Sequence, residues 1–216
     1  NVLKYFSMFQ GGMICQECKE KARDGLILNP STVYAMQYII STPVEKLYTF
    51  TVSSEVLAEL RMVMDRWRER YLDKIRPFYE VDLIKVLTGV RRCGKSILLS
   101  QIEDEFKENG VADDHIINVN FENVEFEKIR TCEKLNKYVL SKIKDEGRYY
   151  IFLDEIQHVR SFEKVLASFR ATLNCSIFVT GSNSKLLSGK MATLLVGRCV
   201  EFRIMPFSFK EAYDYN

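Results

Sequence analysis

The 216 residues carry 31 Lys/Arg against 29 Asp/Glu, a net charge of +2, with 47% hydrophobic and 12% aromatic residues. That composition excludes a disordered or fibrous chain and supports one sizeable core or two small ones. The charges are interspersed, no apolar run approaches the ~20 residues of a membrane-spanning helix, and no basic-then-apolar leader opens the chain. A cytoplasmic protein without a membrane partner is expected.

The six cysteines are Cys15, Cys18, Cys93, Cys132, Cys175 and Cys199. Only the first two are close in sequence, so reduced thiols are expected rather than a disulfide framework. The chain begins at Asn1 rather than Met and ends at Asn216 after a helical-looking stretch, which reads as a fragment.

In chain order, Phe6 to Cys18 form a glycine turn delivering a C-x-x-C knuckle. A structural zinc site needs four ligands, and one knuckle supplies two, Cys15 and Cys18. A partial zinc site is therefore an alternative, and plain reduced thiols are the expectation. Pro30-Ser31-Thr32 opens a helix through Val33, Met36, Ile39 and Ile40, with Ser31 as N-cap. Ser53 or Ser54 opens another, in which Val56, Leu57, Leu60, Val63, Met64 and Trp67 recur at helical spacing and read as core. Arg68 to Phe78 continues the helical pattern, and Pro77 ends it.

The strand Asp82 to Thr88 then runs into Gly89-Val90-Arg91-Arg92-Cys93-Gly94-Lys95-Ser96, the P-loop pattern G-x-x-x-x-G-K-[ST]. The glycines permit backbone angles closed to other residues, so that successive N–H groups can cradle phosphate oxygens. Lys95 would reach the β- and γ-phosphates, and the Ser96 hydroxyl would sit on Mg²⁺. Cys93, at a helix N-terminus where a thiol pKa tends to fall, is either oxidisable or a tolerated variable position. The helix after the loop runs to Gly110, followed by a strand over Ile116 to Asn120 and a helix over Cys132 to Glu146. Tyr149 to Leu153 is a second buried strand, ending in Asp154-Glu155. Asp154 suits the metal through its water shell, and Glu155 suits the general base that deprotonates the attacking water.

A helix over Phe162 to Leu173, a strand over Ser176 to Thr180, a helical turn near Lys185 and a last strand over Cys199 to Ile204 complete the alternation. Strand and helix in turn argue for βαβ units in a doubly wound parallel sheet, with ligands at the carboxyl ends of strands. Thr180-Gly181-Ser182-Asn183 lies at one such end, where Asn183 or Ser182 can bond a phosphate or a water, or simply make a turn. Arg198 follows a glycine and precedes a strand. It reads either as a solvated arginine or as one stabilising transferring charge, in trans if subunits associate.

Residues 1 to about 67 resemble the C-terminal portion of the recombination mediator RecO. The resemblance rests on Tyr5-Phe6-Ser7, Gly11-Gly12, Cys15-Gln16-Glu17-Cys18 and Ala22-Arg23-Asp24-Gly25 followed by two helices. It implies a knuckle that is the second half of a zinc site, and DNA or DNA-repair proteins as partners. Yet residues 1–67 hold seven Lys/Arg and seven Asp/Glu, without a basic stripe.

From about residue 68 the chain resembles the AAA-type ATPases of bacteria and archaea. The matching pieces are Tyr71 to Ile75, the P-loop strand, Phe152 to Gln157, Val179 to Asn183, and Leu194 to Arg198 with Pro206 to Phe209. The resemblance implies a sensor role for Asn183 and a nuclease-like C-terminal region that this sequence does not contain.

The expected fold is α/β, a P-loop NTPase parallel sheet sandwiched by helices over 68–216, preceded by a small, mostly helical module over 1–67. The expected function is ATP binding and Mg²⁺-dependent hydrolysis, as a monomer or homo-oligomer, joined to a RecO-like repair module. The competing expectations are a repair adaptor whose ATPase part is an incomplete passenger, and a join in which neither half has a coupled role.

Overall fold

The computed structural model describes residues 5–7, 12–20, 22, 24–41, 51–91, 93–181 and 195–205. The chain divides into two compact units, residues 1–70 with 207–216 and residues 71–206.

In the first unit, strands β1 (Tyr5–Ser7), β2 (Gly12–Ile14) and β3 (Gly25–Ile27) form an antiparallel sheet in the order β2-β1-β3. Helices α1 (Gln16–Lys19), α2 (Pro30–Ser41) and α3 (Ser54–Ile75) follow, the last five residues of α3 belonging to the second unit. The small sheet was not anticipated, because three-residue strands are too short to show a period. Phe6, Met13, Leu28, Met36 and Val63 form the core, with Leu60 and Trp67 packed against it. Val56, Leu60, Val63 and Trp67 keep the four-then-three spacing of one helical stripe. Leu57 lies about 100° off it, and contrary to expectation it is exposed, as is Ile39. The cap of α2 is also corrected: the Asn29 side chain accepts from the Ser31 N–H at 2.9 Å, which leaves Pro30 at the first helical position. Ser53 caps α3 by accepting from the Val56 N–H.

The second unit is a five-stranded, all-parallel sheet. Its strands are β4 (Ile84–Thr88), β5 (Ile116–Asn120), β6 (Tyr149–Asp154), β7 (Cys175–Gly181) and β8 (Cys199–Arg203), ordered β5-β6-β7-β4-β8. Helices α4 (Lys95–Glu108), α5 (Cys132–Lys142) and α6 (Phe162–Thr172) supply its two coats. A parallel sheet coated on both faces reads as continuous apolar runs, which is why β4, β6 and β7 were legible. One face carries Val86, Ile151, Leu153, Ile177 and Val179 against Leu135 and Val139 of α5 and Leu166 and Phe169 of α6. The other carries Leu87, Phe152 and Phe178 against Leu98, Leu99, Ile102 and Phe106 of α4. Phe152 and Phe178 stack there at 5.0 Å. Alternation along β6 and β7 puts Asp154 and Thr180 on this same α4 side, one residue past the paired Leu153 and Val179.

Helix α5 ends at Lys142, four residues before the expected Glu146. Beyond it the backbone finds better partners: the Lys144 N–H donates to the Tyr149 hydroxyl and the Gly147 N–H to Asp145. The expected turn near Lys185 lies outside the described residues.

The α4 side also buries Lys85 completely. Its ammonium donates to the Val81 carbonyl at 2.9 Å and to the Ser176 hydroxyl at 2.7 Å, which fastens the segment before β4 to β7. Burial pulls its pKa down to about 8. Below that pH both folded and unfolded chains hold the proton, and the fold carries the cost of a buried cation. Between about 8 and the ordinary lysine value near 10.4 the unfolded chain binds more protons, so stability rises with pH. The unfolding free energy of the parent minus that of Lys85→Met should therefore rise by a few kcal/mol from pH 7 to pH 10. Denaturant melts of both proteins across that range check it, and a flat difference would show that Lys85 does not lose its proton.

Candidate functional site

Strand β4 lies inside the sheet between β7 and β8, and the chain leaves its carboxyl end through Gly89 to reach α4. Parallel sheets bind ligands outside such ends, where strand order reverses. Gly89 is required sterically. Its φ is +155°, and a Cβ there would sit 2.3 Å from the Ile204 carbonyl oxygen, at the end of β8. Gly94 has φ +92° and caps α4, with open space where a side chain would be. The loop thus ends at a helix N-terminus with open space at Gly94, where an anion is favoured.

Lys95, the first residue of α4, is 3% exposed. Its ammonium donates to the Val90 carbonyl at 3.1 Å and the Gly89 carbonyl at 3.4 Å, and lies 3.7 Å from the Glu155 carboxylate. Its stem is thus fixed inside its own loop. Ser96 follows on α4 and is exposed. Val90 and Arg91 are exposed at the loop tip, where Arg91 approaches Glu122 at 3.6 Å across solvent, a pair worth little. Arg92 lies outside the described residues. Cys93 is half-buried against the α4-side core, and burial pushes its thiol pKa up. The expected fall at the helix N-terminus is corrected accordingly: desolvation outweighs the positive end of α4 and the nearby Lys95.

Asp154 ends β6 with its carboxylate buried. Glu155, also buried, takes the left-handed conformation at φ 55°, ψ 50°. That conformation costs a non-glycine residue roughly 1–2 kcal/mol, the kind of strain that gathers at functional sites. The Gln157 side chain donates to the Glu155 carboxylate. Thr180, fully buried on β7, accepts from the Glu155 N–H at 2.9 Å and donates to Asp154 Oδ1. Among the described residues nothing donates to the other Asp154 oxygen. Sequence reasoning missed Thr180 and Gln157 as site residues. The clue was a hydroxyl closing the apolar run Ile177-Phe178-Val179.

Of the expected residues, the structure thus brings together Gly89, Val90, Gly94, Lys95, Asp154 and Glu155. Arg198 is elsewhere: its carbonyl accepts from the Ile84 N–H at 2.9 Å, at the amino end of β4. Five strand residues, roughly 16 Å, separate that end from the P-loop. Asn183 lies outside the described residues.

The donor set suits a nucleotide and Mg²⁺. A glycine loop, a fixed ammonium and a buried carboxylate are hard-oxygen and phosphate chemistry. The knuckle belongs to the first unit. Cys15 precedes α1, and the Cys18 N–H and thiol beside its sulfur draw its pKa down. Among the described residues, no group of three or more His, Cys, Asp or Glu side chains is placed to hold a metal ion. Among them, too, no helix is long and apolar enough to cross a membrane.

A family model described as an AAA domain matches residues 82–213, and one described as the C terminal of recombination protein O matches residues 2–77. Over 145 residues the chain is 41% identical to an uncharacterized protein of Haemophilus influenzae, an alignment covering 67% of this chain and 36% of that protein. It is 31% identical over 87 residues to the DNA repair protein RecO of Acetivibrio thermocellus, covering 40% of this chain and 34% of that protein. The chain thus spans about a third of the length of these curated relatives. Among solved structures, the Thermotoga maritima RuvB Holliday junction branch migration motor matches 65% of this chain and 43% of its own, at 17% identity and a TM-score of 0.42. With its five parallel strands, its P-loop and a family match over more than half its length, the chain belongs to the AAA domain family, and residues 2–77 are similar to the C terminal of recombination protein O.

Proposed function

We propose that the chain binds ATP with Mg²⁺ at the carboxyl edge of the sheet and hydrolyses its terminal phosphoanhydride bond. The observation that carries this reading is the convergence of buried Lys95 and buried Glu155, 3.7 Å apart, beside buried Asp154. Gly89, Val90, Arg91, Arg92, Cys93 and Gly94 would line the phosphates through their backbone, and Lys95 would reach the β- and γ-phosphates. Ser96 and Asp154 would hold Mg²⁺. When bound, Mg²⁺ neutralises charge on the phosphate oxygens. Glu155, its carboxylate steadied by Gln157, would take a proton from the attacking water as the bond to the leaving oxygen of ADP breaks. Asn183 would bond the γ-phosphate or that water. Arg198 would stabilise the developing charge in a neighbouring subunit's pocket rather than its own, making the active species a homo-oligomer.

A second reading is favoured by the match of residues 2–77: a DNA-repair adaptor acting through the first unit, by contact with DNA or with repair proteins. Phosphate release should occur in Mg²⁺ and stop in EDTA. A gel shift with single-stranded DNA on the same preparation separates the two readings. Hydrolysis without a shift supports the ATPase alone, and a shift without hydrolysis supports the adaptor.

A further inference from the structure

We propose that Thr180 is a positioning residue for the metal-binding end of this site, its one hydroxyl setting the Asp154 carboxylate and the Glu155 backbone together. The inference rests on the ATPase reading above and assigns to it a residue outside the P-loop and the acidic pair.

Thr180 has no exposed surface, and its neighbours along β7 are Ile177, Phe178 and Val179. Valine would fill the same volume and suit the strand equally well. A hydroxyl in such a place costs stability unless it is bonded on both sides. Here it is. The oxygen accepts from the Glu155 N–H at 2.9 Å, and the proton goes to Asp154 Oδ1. A hydroxyl has one proton, and with that proton donated to Asp154 the oxygen meets the Glu155 N–H as an acceptor, through one of its two lone pairs.

Each bond has a separate consequence. Paired β6–β7 residues end at Leu153 and Val179, so the Glu155 N–H lies beyond the ladder, just where the backbone turns to φ 55°. Thr180 supplies the acceptor that the ladder no longer provides, and so holds the left-handed turn that aims the Glu155 side chain toward Lys95. On the other side, the bond to Oδ1 fixes the rotation of the Asp154 carboxylate, whose second oxygen would then be held for a metal's water shell. Outer partners of this kind typically alter metal affinity or activity by about 10–100-fold when removed.

The test is a binding measurement on the full chain: the factor by which Mg²⁺, relative to EDTA, tightens a fluorescent ATP analogue. Thr180→Val keeps the shape and deletes the hydroxyl, and that factor should fall about tenfold or more. Thr180→Ser keeps the hydroxyl and loses a methyl, and the factor should stay within about threefold of the parent. A hydroxyl that only caps the backbone would change the melting temperature of Thr180→Val and leave the Mg²⁺ factor alone. That result would overturn the proposal, as would a folded Thr180→Ser with the tenfold loss, which remains decisive if the valine variant does not fold. A parent chain that bound no nucleotide under either condition would instead remove the ATPase reading, and this inference with it.

Discussion

Glu155→Gln should bind ATP and stall, whereas Lys95→Ala should bind it roughly tenfold to hundredfold more weakly. The carboxylate of Glu155 is buried, held by Gln157, and lies 3.7 Å from the Lys95 ammonium. Glutamine keeps that shape and removes only the capacity to take a proton, so turnover should fall by roughly 10²–10⁴, the usual worth of a positioned general base, with affinity little changed. Lys95 is different in kind. Its ammonium bonds the Gly89 and Val90 carbonyls as well as facing the phosphate cradle, so alanine removes a charge and releases the loop in one step. A charge-assisted contact of 1.5–3 kcal/mol corresponds to roughly a tenfold to hundredfold loss of affinity. Calorimetric ATP titrations beside steady-state phosphate release resolve the two. Parental turnover by Glu155→Gln would remove Glu155 as the base, and parental affinity in Lys95→Ala would remove the P-loop reading.

The second large effect is expected from Arg198, and it should be visible only between chains. Arg198 is exposed at the amino end of β4, with the strand's length between it and its own P-loop. An arginine supplied from a neighbour to the charge developing between the β- and γ-phosphates contributes on the order of 10³ or more in rate. ATPase rate per chain should therefore rise with concentration, and Arg198→Ala should lose most of it. Mixing Arg198→Ala with Lys95→Ala should restore activity, because the second chain donates an intact arginine to the first chain's intact pocket. Association without rescue, or turnover independent of concentration, would return Arg198 to a solvated surface residue.

The sheet and its family were legible in the sequence because every β4, β6 and β7 position must be apolar or specially bonded, and the loop needs glycine at two fixed places. The P-loop and the pair Asp154-Glu155 could be read for the same reason: each closes an apolar run. What escaped was set by tertiary geometry or by elements too short to show a period. Thr180 looks like any β-branched strand residue until Asp154 and Glu155 are seen beside it. Gln157 gains meaning only from the left-handed turn two residues earlier. The direction of the Cys93 pKa was not legible because the helix end is written in the sequence, while the depth of its burial depends on the packing of the core; the raised pKa agrees with the reading of Cys93 as a tolerated variable position. The three-residue strands of the first unit hold too few positions for alternation to register.

The chain has one tryptophan, Trp67, and it packs against the Phe6, Met13 and Val63 cluster of the first unit. The AAA unit absorbs through tyrosines such as Tyr149 and Tyr150, both buried in its sheet. Fluorescence excited at the red edge thus watches the recombination-protein-like unit alone, while circular dichroism over the helices and strands of both weighs the larger AAA unit more heavily. Melts followed by the two probes coincide only if the units unfold as a single cooperative block. A nucleotide that protects the AAA unit would then raise the tryptophan transition by the same amount, and the natural emission of Trp67 becomes a label-free measure of how much free energy passes from one half of the chain to the other.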